Sequence, residues 1–264
     1  NKWKVGFGDM AVKIGSARGD EHGHATGGSA GDQKQKTTPD YSGEISMQDW
    51  YKHSKGWVVL RCKDPDKADL IAQDMEFACN NPMIGYDQDE RSTLYNVAKK
   101  VGFDCSKVKT KCETDCSALV RVCVSYAGIS VGNFNTENEV NELIKTGMFE
   151  KLTASKYTTS SSYLRKGDIL VTAVKGHTVV VLNNGSKVEA PAESFDKSIA
   201  GKYQITTDLY LRTAPVTGEE IAVMKKGNYV LNYGYYTEVN GVKWLYAQYG
   251  SKIGFCSSRY LKKV

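Results

Sequence analysis

Apolar residues recur with the period of a helix four times between residues 64 and 147. In "KDPDKADLIAQDMEFACNN", Asp64 is placed to cap a helix with Pro65 at its first position. Leu70, Ile71, Met75, Phe77 and Ala78 form its apolar side, and Asn80-Asn81-Pro82 stops it. "RSTLYNVAKKVG" predicts a second helix ending at Gly102. "CSALVRVCVSYAG" predicts a third, with Leu119, Val120, Cys123 and Ala127 on one side and Gly128 as its stop. In "TENEVNELIKTG", Thr136 and Glu139 have the spacing of a capping box and Gly147 closes a fourth helix. Ahead of these, residues 15–43 are rich in Gly, Ser, Thr, Asp and Lys and read as a long polar loop.

After residue 160 the pattern changes period. "KGDILVTAV" and "HTVVVLNNGSKVEA" are β-branched runs joined by turn residues, and Asn183-Asn184-Gly185 within the second is a hairpin signal. Helices first and strands second predict an α+β domain with an antiparallel sheet. From Tyr203 the chain consists of short strand-like segments separated by Gly turns, the pattern of a small all-β barrel. The expected organisation is a domain over residues 1–192, a linker over 193–202, and a second domain over 203–264.

Composition narrows the function classes. No run approaches the roughly 18 apolar residues of a membrane span, and the N-terminus shows no apolar signal region. The chain begins at Asn1 rather than Met, so a removed leader stays open. Synthesis in the cytoplasm and export of a processed chain both stay open. A net charge of +5 without a dense Lys/Arg run gives no nucleic-acid signature. Seven cysteines, an odd number scattered through the chain, argue against a disulfide framework, and with no C-x-x-C a zinc site is the weaker reading. No cofactor and no metal are expected, and the expected state is a monomer.

The tripeptide Asp-Cys-Ser occurs twice, at Cys105 and Cys116. A thiol attacks as thiolate, and a helix N-terminus favours the thiolate through its unpaired N–H groups. Cys116 stands where a helical pattern begins, whereas "SKVKTKCET" after Cys105 reads as a loop, so Cys116 is the candidate nucleophile. A cysteine hydrolase also needs a base and a group to orient it. Of four histidines, His22 and His24 fall in the polar loop and His53 has no motif, whereas His177 opens a strand. If Asn183-Asn184-Gly185 is a three-residue hairpin loop, Glu189 shares a face with His177; a two-residue loop would turn it away. Gln33, in a Gly-rich setting, is a weaker candidate for an oxyanion donor.

"TDCSALV", "LRKGDILV" and "GHTVVVLNNGSKVEAP", in this order, resemble the papain-like cell-wall cysteine peptidases of the NlpC and CHAP group. The "YDQDER" segment and an Asn135-Thr136-Glu137 helix start extend the likeness to bacteriophage lysins of the pneumococcal-phage amidase type. The resemblance covers residues 80–191 and implies a peptidoglycan hydrolase, an endopeptidase or N-acetylmuramoyl-L-alanine amidase. It implies Cys116 as nucleophile, His177 as base and Glu189 as orienting residue, with Asp115, Ser117, Tyr86 and Arg91 shaping the substrate site. Ala118 replaces the usual Gly, and the insert 92–113 separates the Tyr segment from Cys116. Leu209-Tyr210-Leu211-Arg212 before Pro215, Lys226-Gly227, Trp244, Gly254-Phe255 and Tyr260-Leu261 resemble a bacterial SH3 domain, which implies a wall-binding module. A non-catalytic wall-binding protein and an acyltransferase on the same fold are the alternatives.

Overall fold

A computed structural model describes residues 11–185 and 194–264, and the chain divides into two compact units, 1–188 and 189–264. The first is α+β. Its elements are β1 (Lys13–Ala17), β2 (Ile45–Asp49), β3 (Trp57–Cys62), α1 (Pro65–Cys79), β4 (Ile84–Tyr86), α2 (Thr93–Lys99) and β5 (Cys112–Thr114). They continue with α3 (Cys116–Tyr126), α4 (Glu139–Lys145), β6 (Phe149–Leu152), α5 (Ser155–Thr158), β7 (Ile169–Thr172) and β8 (Thr178–Val181). Three strands precede the first helix, which corrects the expected order of helices before strands.

Six strands form one antiparallel sheet in the order β2-β1-β8-β7-β3-β6, and β4 pairs with β5 in a separate parallel ladder. Apolar residues leave this sheet on both faces. Ala17, Ile45, Met47, Leu60, Ile169, Val171 and Val180 join the buried sides of α1 and α3 in the main core. Ile14, Trp57, Val59, Leu170, Val179 and Val181 form a second cluster with Leu164. A strand buried on both faces reads as a continuous apolar run, which is why "TVVV" shows no alternation.

Each β8 edge is occupied, by β1 on one side and β7 on the other. The hairpin expected from Asn183-Asn184-Gly185 is therefore not what pairs with β8. Those residues close neighbouring strands instead: Asn183 Oδ1 accepts from the Lys13 N–H, Asn184 Oδ1 from the Lys166 N–H, and the Gly185 N–H donates to the Leu164 carbonyl. The register argument that aligned Glu189 with His177 loses its basis, and Glu189 itself lies outside the described residues.

Helix boundaries follow local chemistry. Asp64 caps α1 by accepting from the Asp66 and Lys67 N–H groups, with Pro65 at the first position. The expected capping box of α4 does not form. Its N-cap is Asn138, Thr136 Oγ1 accepts from the Gly176 N–H, and Glu139 turns inward. The Arg-x-Gly-Asp segment before β7 is structural. Asp168 receives two hydrogen bonds from buried Arg61, at 2.8 and 2.7 Å. Gly167 has φ +84°, and a Cβ there would lie 2.2 Å from the Ala68 carbonyl oxygen, a place only glycine fits.

The polar segment 18–44 is ordered by buried carboxylates, its own and Asp87, rather than by apolar burial. Asp32 accepts from four backbone N–H groups (Lys34, Gln35, Glu44 and Ile45), and Asp87 accepts from Gly27 and Gly28. Glu44 bridges the Gln33 and Tyr86 N–H groups. The cost of burying Glu44 lifts its carboxyl to about 7.

The second unit is antiparallel: β9 (Ser194–Phe195), β10 (Gly201–Ile205), β11 (Leu209–Arg212), β12 (Glu220–Met224), β13 (Tyr229–Val239), β14 (Val242–Tyr249), β15 (Lys252–Ser257) and β16 (Leu261–Lys263). The path runs β12-β11-β15-β14-β13-β10-β16, with β9 beside β13. The stretch expected as a linker, 193–202, thus contributes β9 and the start of β10. Tyr203, Ile205, Leu211, Met224, Val230, Leu245, Ala247 and Cys256 fill the core. Along β13 the alternation is strict at first, and Tyr229, Leu231, Tyr233 and Tyr235 face outward.

Candidate functional site

Cys116 is the first residue of α3. Asp115 precedes it in extended conformation and caps the helix, its Oδ1 accepting from the Ala118 N–H at 2.7 Å. Arg91 secures this start from the other side. Its guanidinium donates to both Asp115 carboxylate oxygens, to Ser117 Oγ and to the Phe134 carbonyl. Asp115 and Ser117 are buried, and their polar atoms are engaged with Arg91 and with each other. Tyr86 is buried at the end of β4, and its hydroxyl accepts from Gln88 Nε2. The phenol feels the charge of Cys116 and is pushed up to about 12, mainly by burial.

α3 packs against β8, and the Thr178 and Ser117 N–H groups favour the thiolate of Cys116. Burial outweighs them, with Asp115 and Glu139 adding negative charge, and the thiol is pushed up to about 12. The expectation that the helix terminus would favour a resting thiolate is corrected: the resting group is a buried thiol. Cys105 lies elsewhere, on a short 3-10 turn in the main core, where its N–H and Sγ both bond to Asp74. All seven cysteines are free and buried.

Thr172 sets the backbone of His177: its Oγ1 accepts the His177 N–H at 2.9 Å and its N–H donates to the His177 carbonyl at 2.9 Å. Burial, with His53 and Arg18 as nearby cations or potential cations, lowers the imidazole to about 4. It is a neutral base at neutral pH. No direct hydrogen bond joins Cys116 to His177 among the described residues; the helix that Cys116 opens packs against β8, the strand that His177 precedes.

His177 lines a cavity of about 450 Å³ together with Arg18, Gln48, Tyr51 and His53. These come from the end of β1, from β2, and from the connection between β2 and β3. Burial raises the Tyr51 phenol above its ordinary value. Gln33 points elsewhere: its side-chain amide donates to loop carbonyls at Ala30 and Gly31.

Glu139 is a site residue that the sequence pattern disguised as a helix cap. It is fully buried, its Oε1 accepts from Thr178 Oγ1 at 2.8 Å, and its Oε2 has no partner among the described residues. Burial holds its carboxyl well above the usual range, with Asp115 adding to the effect. Glu139 thus anchors Thr178, the residue that follows His177. Among the described residues, no group of three or more His, Cys, Asp or Glu is arranged to hold a metal ion.

No curated protein and no solved structure matches the chain. A family model described as an endolysin-like domain matches residues 14–188, a span that begins in β1 and contains both Cys116 and His177. That match covers more than half of the 264 residues and includes the N-terminal strands, beyond the segment whose motifs carried the resemblance. The chain therefore belongs to the endolysin-like domain family, which ties it to phage endolysin-like enzymes of the bacterial cell wall.

Proposed function

We propose that the first unit is a papain-like cysteine hydrolase that cleaves an amide bond of the peptidoglycan stem peptide. It would act as an endopeptidase or N-acetylmuramoyl-L-alanine amidase. The observation that supports this most is the packing of α3 against β8, with the Cys116 thiol at the start of the helix and the cavity-lining imidazole of His177 directly before the strand. His177 takes the Cys116 proton as the sulfur attacks the carbonyl carbon. A C–S bond forms, and the Cys116 N–H at the helix start helps to stabilise the oxyanion. As the C–N bond breaks, His177 returns the proton to the leaving amine. Water, deprotonated by His177, then releases the acid and restores the thiol. Asp115, Ser117 and Arg91 hold the nucleophile in place, Tyr86 borders it, and Glu189 is the proposed orienting residue for His177.

The second unit is proposed as a bacterial SH3-like wall-binding module, supported by the outward row of Tyr229, Leu231, Tyr233 and Tyr235 on β13. Intact-protein mass spectrometry after rapid mixing with a soluble stem peptide tests the chemistry. The expected result is an acyl adduct on Cys116 that decays in water. An adduct on another residue, or turnover that survives Cys116→Ala, contradicts it.

A further inference from the structure

We infer that the cavity beside His177 is a subsite for a substrate carboxylate flanking the scissile amide, with Arg18 as its specificity-determining residue. The inference rests on the proposed amide hydrolysis and goes further by naming the chemical form of the substrate.

The lining is the argument. Arg18 leaves β1 exposed at the cavity, and its position is fixed by its own N–H, which donates to the Glu44 carbonyl at 2.8 Å. Of the five N–H groups of its guanidinium, one donates to Ser46 Oγ at 3.3 Å. No carboxylate lies within 4 Å of it among the described residues, unlike Arg61 and Arg91, which are both paired with Asp. A guanidinium that lines a cavity with most of its donors open is matched by a bidentate oxyanion.

The other walls are of the same character. His53 Nδ1 accepts from the Lys55 N–H at 3.0 Å, so the neutral ring carries its proton on Nε2 and offers a donor. Ring contacts with Trp57 at 5.1 Å and Tyr51 at 5.9 Å hold it in place. Tyr51 and Gln48 add a phenol and a carboxamide. Among the described residues no acid lines the cavity, so its donors suit a carboxylate, whereas an ammonium would face Arg18. The charge of Arg18 is felt at both His177 and Tyr51, which places the bound anion beside the base rather than at a remote patch.

The stem peptide offers such groups as free carboxylates next to its amide bonds, and bacterial walls carry them either as carboxylates or as carboxamides. The test uses two soluble stem peptides that differ only in this exchange, with the full-length protein. A charge-assisted pair of this type is worth about tenfold or more in discrimination. The expected ratio of kcat/KM, carboxylate over carboxamide, is therefore at least about tenfold for the unaltered protein. It should fall to near one in Arg18→Gln and recover in part in Arg18→Lys, with the change carried by KM. Equal kcat/KM for the two peptides, or a ratio unchanged by Arg18→Gln, overturns the inference. Equilibrium binding of both peptides to full-length Cys116→Ala separates the two layers. If neither peptide is cleaved but the carboxylate form still binds more tightly through Arg18, the subsite stands and the reaction falls. If both bind alike, the subsite falls.

Discussion

Cys105 and Cys116 share their two neighbours in sequence, and the difference between them is what surrounds each sulfur. Cys105 is held by a buried carboxyl: Asp74, itself lifted to about 7 by burial, takes both its N–H and its S–H. Cys116 instead opens α3 behind its cap Asp115, with burial pushing its thiol up to about 12. Cys116→Ala should abolish wall lysis. Cys105→Ala should retain the activity and lose about 2 kcal/mol of stability, because it strips a partner from buried Asp74; thermal unfolding and a lysis assay measure both. With its thiol near 12, Cys116 should react only slowly with iodoacetamide at neutral pH in the absence of substrate, so slow alkylation does not single out a non-catalytic protein. His177 gives a further expectation. A base lowered to about 4 stays neutral well below the ordinary histidine value of 6.5, so the acid limb of kcat/KM should fall between pH 4 and 5. A limb near pH 6.5 contradicts the burial of that imidazole.

At the scale of elements, the start of β8 is braced by α4 and the start of β7 by β3, and each brace can be weighed. Glu139 is raised when folded, so between its unfolded value near 4.5 and its folded one the native state holds a proton that the unfolded chain has lost. Its contribution to stability therefore falls as pH rises. Glu139→Gln removes that titration, and the melting temperature of the variant relative to the parent should rise from pH 5 to pH 8. A difference that stays flat would mean that Glu139 is not held protonated. Asp168→Asn leaves the buried Arg61 guanidinium without its counter-charge and should cost about 3 kcal/mol in denaturant unfolding.

The legible elements were those with local signals. The ends of α1 and α3 follow from Asp64, Pro65, Asp115 and Gly128, because a cap acts within one turn of its helix. The strands β1 to β3 were not legible as members of the sheet. β1 is a five-residue piece of polar look whose Gly15 leaves room for Met75: a Cβ there would lie 2.6 Å from the Met75 side chain. The cavity residues Arg18, Gln48, Tyr51 and His53 carry no motif, and only the pairing of β1 with β8 brings them to His177. Glu139 and the Asn183-Asn184-Gly185 turn misled for one reason: their side chains and backbone are used by partners far away in sequence.

For the molecule as a whole, the two units divide the proposed labour. The first has the candidate site and its own core; the second has a separate core and an outward tyrosine row on β13, with the Phe195 ring of β9 tilted against that of Tyr235 at 5.1 Å between centroids. Removal of the second unit, with the cut placed before β9, should weaken binding to intact walls far more than cleavage of a soluble stem peptide, since tethering helps only on a polymer. A truncated protein that sediments with walls as the full chain does would locate the anchor elsewhere. The central claim is that Cys116 and His177 hydrolyse an amide of the wall peptide. Its most direct test is mass spectrometry of purified peptidoglycan digested in ¹⁸O-water by the full-length protein, Cys116→Ala and His177→Ala. The expected result is one class of new amine terminus matched by one class of ¹⁸O-labelled carboxyl terminus, present with the unaltered protein and absent with both variants. New sugar reducing ends in place of peptide termini, or the same termini from Cys116→Ala, would contradict it.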